Sequence, residues 1–152
     1  MRSSLCVAFR KRALRAGCAA LALLAPWAVS AACTLEMSTS NIMQEIIKEN
    51  GGVPISDAQC ARLNKNSLRL HMNGQATVLN GVSVAWAYVT VSDVNTRVIS
   101  PEAASQTIVN TKASMVTAKE LAFTALESSI AQLDINKAAN ALRSYSQAAK
   151  KK

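Results

Sequence analysis

This chain is short of the residues from which active sites and metal centres are usually assembled. It has one histidine, His71, and no HExxH or CxxC motif, so its own side chains offer no zinc site. A glycine-rich phosphate loop is absent, as is a G-x-S-x-G elbow around any serine. His71 falls on the expected solvent side of a strand, which suits an exposed residue better than a general base. These absences lead to the expectation of no catalytic residue, no metal and no cofactor. Aromatic residues make up only 4% of the chain, so the core must be built mainly from aliphatic residues and alanine. No repeat and no Pro/Ser-rich linker divides the chain, and Gly51-Gly52 is the only glycine pair.

Long apolar runs are missing too. The uncharged stretch from Ala16 to Ala25 is well under the roughly 20 residues needed to span a bilayer, which excludes a membrane span there. What precedes and follows that stretch is informative. Arg2, Arg10, Lys11, Arg12 and Arg15 form a cationic opening without an acid, Pro26 closes the apolar run, and the small residues Ser30, Ala31 and Ala32 supply a cleavage region. That order is the pattern of an export signal, so residues 1–32 are expected to be a cleaved signal peptide of an exported bacterial protein, periplasmic or extracellular. The Arg-Lys-Arg sequence is a poor match to a twin-arginine motif, since it holds no Arg-Arg pair.

The net charge of +8 suggests a nucleic-acid ligand until the signal is set aside. Five of the 17 basic residues and none of the nine acidic ones lie in the first 32 positions, leaving twelve cations against nine anions. Three of those twelve are Lys150, Lys151 and Lys152, read as a basic tail that offsets the dipole at a helix C-terminus. The body, residues 33–149, is formally neutral and is expected to be a single small domain. Without a positive field to track phosphates, nucleic acid is excluded as a partner.

Setting the signal aside also removes Cys6 and Cys18, and leaves Cys33 and Cys60. In an oxidising compartment the pair is expected to form a disulfide. It would close a loop of about 28 residues and contribute roughly 3 kcal/mol on the chain-entropy model. The alternative is acylation of Cys33 as the first residue of an envelope lipoprotein. Ser30 occupies the position where such signals place a Leu-like residue, and acylation would leave Cys60 without its partner, so a lipid anchor is disfavoured.

The body reads as an α+β fold. Ser38 to Asn41 offer capping side chains before Ile42, Met43, Ile46 and Ile47, predicting a first helix near 40–50 that stops at Gly51. Ser56 and Gln59 form a capping box that starts a second short helix running to about Asn64. Asn73-Gly74 and Asn80-Gly81 are each the dipeptide favoured in two-residue hairpin turns. They predict a three-stranded antiparallel meander of Leu68–Met72, Gln75–Leu79 and Val82–Ser92. Ser100-Pro101-Glu102 resembles a helix start, yet 106–110 is β-leaning, so Asp93–Asn110 admits either a helix or a fourth strand. Met115, Val116, Ala122, Phe123, Leu126, Ile130 and Leu133 share one helical stripe, with Lys119 at its edge. After a break at Asp134–Asn136, a last helix turns Ala138, Leu142 and Tyr145 inward. This helical C-terminal half is expected to pack on the sheet.

One strand bears on function. Val82, Val84, Trp86 and Tyr88 lie on one side of it, and Ala85, Ala87, Val89 and Val91 on the other. Two apolar faces imply a strand covered by helices on both sides, which is the expectation, or one whose second face meets a partner. Trp86 and Tyr88 accordingly either pack in the core, as the scarcity of large side chains favours, or form a flat binding patch. The leading functional expectation is a non-enzymatic exported protein that binds a protein partner, as an inhibitor, immunity-type protein, chaperone or secretion accessory does. A small secreted hydrolase using a carboxylate pair is the alternative, and a Cys33-acylated envelope lipoprotein the second.

Overall fold

A computed structural model describes residues 34–149; the expected signal segment, Cys33 and the three terminal lysines lie outside the described residues. The elements in chain order are β1 (Met37–Thr39), α1 (Asn41–Glu49), α2 (Asp57–Lys65), β2 (Leu68–Leu79), β3 (Val82–Asp93), β4 (Ile99–Asn110), α3 (Met115–Gln132) and α4 (Ile135–Ala149). The sheet has the order β1-β2-β3-β4, with β1 parallel to β2 and the other neighbours antiparallel. The protein is α+β: the short strand β1, which was not expected, precedes the two short helices, the antiparallel meander β2-β3-β4 follows, and the C-terminal helices pack on the sheet.

Local chemistry explains most of these boundaries. The capping box before α2 is formed: Gln59 N–H donates to Ser56 Oγ at 3.2 Å, and Ser56 N–H donates to Gln59 Oε1 at 3.0 Å. Asn80 and Gly81 take φ of 50° and 78°, the two positive values that a type I′ turn requires, and the turn joins β2 to β3 through the pair Leu79–Val82. At the α3–α4 break, Lys137 N–H donates to Asp134 Oδ1 at 3.0 Å.

The Asn73-Gly74 turn does not form, and this corrects the expected strand boundaries. β2 runs straight through both residues, so each strand of the meander has 12 residues. Leu68, Leu70, Met72 and Ala76 keep one buried phase across the dipeptide, and Gly74 continues that row. A glycine is needed there for contact, because a Cβ on Gly74 would lie 2.5 Å from Trp86 O and 2.7 Å from Met43 Sδ of α1.

The segment 93–110 resolves as β4, and Ser100-Pro101-Glu102 lies inside a strand instead of starting a helix. The ladder between β3 and β4 shifts register between Thr90 and Ser92, so a bulge holds Pro101 at the outer edge of the sheet. Thr90 Oγ1 reaches across to Glu102 O at 2.8 Å and Ser100 O at 3.3 Å, fixing the bulge. An edge and a bulge are the two places where a strand tolerates proline.

The four described helices lie on one face of the sheet. Ala85, Ala87, Val89 and Val91 on β3 are fully buried beneath α3, whose Ala118, Ala122 and Ala125 are also fully buried. Facing alanines let α3 approach closely enough for Ser129 Oγ to lie 3.4 Å from Ala87 O. Lys119 leaves the apolar stripe to meet Glu45 at 2.6 Å and Glu49 at 3.0 Å, tying α3 to α1. Ser83, fully buried at the start of β3, accepts Ser114 N–H at 3.0 Å and donates to Lys112 O at 2.6 Å, which holds the loop leading into α3. Three residues expected to point inward, Met115, Val116 and Tyr145, are exposed: the first two open α3, and Tyr145 lies toward the end of α4.

Candidate functional site

Among the described residues no helix lies on the other face of the sheet, and that overturns the expectation that β3 is covered on both sides. Paired residues on adjacent strands share a face. Thr77, Gln75 and Asn73 of β2 therefore stand beside Val84, Trp86 and Tyr88 of β3, which stand beside Val109, Thr107 and Ser105 of β4. Trp86 is 38% exposed and Tyr88 39%, so neither packs in the core as the sequence suggested. Their helix-facing neighbours Ala85 and Ala87 are small and wholly buried, so core space on β3 is already filled by the docked helix. At one end of this face Arg69 pairs with Glu36.

At one end of the face, β1 and its exit into α1 border a hollow of about 390 Å³. His71, Asn73, Tyr88, Thr90 and Ser40 line it, with Ile99 closing one side. His71 is half-buried instead of exposed, because its partner on β3 is Thr90 and β1 flanks the other side. Its Nε2 lies 2.7 Å from Ser92 Oγ. Burial first, and then the Arg69 guanidinium, hold the imidazole below its ordinary range. Ser92 is itself buried and does not line the hollow, so the contact orients the ring and presents no accessible nucleophile. Ser40 Oγ is buried at the lip and has no hydrogen-bond partner among the described residues.

The carboxylates do not gather around this hollow. Glu36 pairs with Arg69, Glu45 and Glu49 flank Lys119, and Glu102 lies 3.1 Å from Lys137. Asp93 accepts N–H bonds from Asn95 and Thr96 in the β3–β4 turn. Its bond from Thr96 N–H holds this carboxyl below the usual range despite some burial. Among the described residues, no cluster of three or more His, Cys, Asp or Glu is placed to hold a metal ion. No described helix is long and apolar enough to cross a membrane.

Sequence reasoning singled out Trp86 and Tyr88, and the structure places them side by side on an open surface. It missed Thr90, the next residue of the same β3 row, and Ser40, Ile99 and Val109, which border that surface because β1 and β4 flank β2 and β3. No family model, curated protein or solved structure matches this chain.

Proposed function

We propose that this chain is a small exported, non-enzymatic protein that binds a protein partner through the open face of its sheet. The observation that carries the reading is the joint exposure of Trp86 and Tyr88 on a face that no described element covers. Aromatic side chains with a polar tip supply contact area at low entropic cost and dominate binding energy where they are buried by a partner. Around them stand Asn73, Gln75, Ser105 and Thr107, uncharged groups that form a hydrogen-bonding rim. Three twelve-residue strands span about 40 Å by 14 Å at normal strand rise and spacing, somewhat below the ~800 Å² per partner of a standard interface. Export from a cell by the signal in residues 1–32, and a Cys33–Cys60 bridge, complete the proposal. Cys60 is buried one turn before Asn64, and Asn64 shares a hollow with Thr34, the residue next to Cys33.

The test is a photo-crosslinking residue at position 86, compared with one at Ser144 on the exposed side of α4, in cells that export the protein. A partner captured only from position 86 is then purified and titrated against the wild type and Trp86→Ala. The expected loss is about 30-fold or more in affinity, the scale of an aromatic hot spot. Equal capture from both positions, or a partner whose affinity ignores Trp86→Ala, overturns the assignment.

A further inference from the structure

The outer edge of β4 is a second surface, and its free groups follow from the hairpin turn. A two-residue turn makes Leu79 and Val82 a hydrogen-bonded pair, so Val82 directs its backbone N–H and C=O toward β2. These groups alternate sides along an antiparallel strand, so the odd-numbered residues of β3 face β4. Their partners on β4 are the even-numbered residues Ala104, Gln106, Ile108 and Asn110. Other bonds obey the same parity: Asp93 N–H donates to Val98 O at 3.0 Å, and Leu70 N–H donates outward to Glu36 O of the β1 segment at 3.0 Å. The backbone groups of Ala103, Ser105, Thr107 and Val109 therefore point away from the sheet, and no described residue bonds to them.

Edges of this length are normally blunted by charge, proline or a bulge. Here those devices sit only at the ends. Pro101 and the bulge stop the ladder on one side, and the strand ends at Asn110, before Lys112. Between them, Ala103 to Thr111 carries no charge. The opposite edge of the sheet differs, since β1 pairs the first half of β2 and Asn73 Oδ1 accepts the Gly74 N–H at 2.8 Å.

We propose that β4 pairs antiparallel with β4 of a second copy of this chain, about a two-fold axis at Gln106, joining two four-stranded sheets into one. That register sets Ala103 against Val109 of the other copy and Ser105 against Thr107, so all four outward donors and acceptors are met. A shift of two residues in either direction loses pairs, because it brings in Pro101, which has no N–H, or Thr111, which lies beyond the strand. Side chains match small to large: Ala104 meets Ile108, and Ala103 covers the 59% exposed Val109. No like charges come together. The two open faces become continuous, which roughly doubles the surface that a partner meets. The pairing depends on the backbone of β4 and not on the open-face reading, so the two fail separately.

A ladder of seven residues is about 24 Å long and falls well short of a standard interface, so the dimer is reversible. Sedimentation velocity of the full chain, purified as the cell delivers it, should show a monomer–dimer equilibrium between roughly 1 and 500 μM. Backbone amides of Ala103, Ser105, Thr107 and Val109 should gain exchange protection as concentration rises. Ser105→Pro removes only an outward N–H and should weaken the dimer at least tenfold while circular dichroism stays native. Gln106→Lys and Gln106→Glu bring like charges together at the axis and should each be monomeric, whereas mixing them restores the dimer. Trp86→Ala should leave dimerisation unchanged. A chain monomeric throughout that range, a dimer indifferent to Ser105→Pro, or no recovery on mixing the two Gln106 variants overturns the proposal.

Discussion

Replacing Gly74 with alanine tests the central correction to the fold. Gly74 has no positive φ, so alanine meets no backbone penalty there, and restricting the unfolded chain alone would stabilise by about 0.4–1 kcal/mol. The added methyl instead lies 2.5 Å from Trp86 O, 2.7 Å from Met43 Sδ and 3.3 Å from Ala87 Cα. Trp86 O belongs to the neighbouring strand and Met43 is fully buried, so neither yields without disturbing the ladder or α1. Overpacking of this kind costs about 1–3 kcal/mol, giving a net loss of about 1–2 kcal/mol. With a urea slope of about 1–2 kcal/mol/M for a chain of this size, the midpoint should fall by about 1 M. Circular dichroism during urea titration reads it, with Trp86 fluorescence as a second probe. Repeating the substitution in a Met43→Ala background should recover about 0.5 kcal/mol or more, because one of the two close contacts is gone. A midpoint that stays put or rises, or a cost unchanged without Met43, refutes the argument that contact dictates glycine here.

Ser83→Ala should cost about 1–3 kcal/mol in the same titration, because the Ser114 N–H loses its buried acceptor; a loss below about 0.5 kcal/mol contradicts that role. Because the folded pKa of His71 lies below its unfolded value near 6.5, the unfolded chain takes up the proton first as pH falls. The His71 contribution is therefore complete above that pH and declines below it, and urea midpoints at pH 8 and 5 should differ more for the wild type than for His71→Gln. Equal differences would show that His71 does not carry the effect. Cys60→Ser should lower stability by about 3 kcal/mol if Cys33 and Cys60 are bridged. Intact mass of the unreduced, signal-cleaved protein should be two hydrogens below the dithiol value, and an unshifted mass excludes the bridge.

Signals confined to a few neighbouring residues were legible without coordinates. The Ser56–Gln59 box, the Asn80-Gly81 turn and the Leu126–Ile130 stripe each depend on contacts within one turn of chain, so the residues alone specify them. Asn73-Gly74 is the same dipeptide as Asn80-Gly81 and has a different fate. A turn at 73–74 would leave two five-residue strands, whereas the continuous strand pairs all twelve residues with β3 and seats Met43 over Gly74. The unbroken buried row from Leu68 to Ala76 was the available clue, and the turn propensity outweighed it. Pro101 left helix and strand both open for a related reason. Its fitness for a helix start is local, while its fitness for a sheet edge depends on β4 having no outer neighbour among the described residues.

The amino-acid order by itself determined that β3 has two apolar rows, that Trp86 and Tyr88 share one of them, and that few other aromatic residues exist. Alternation along a strand is a property of the backbone and needs no partner to be read. Which row is buried was decided only in three dimensions. Alanines on α3 and β3 allow one helix layer to dock tightly on one face, and the four described helices are used there. That packing leaves the aromatic row on the open face and the outward amides of β4 at the free edge.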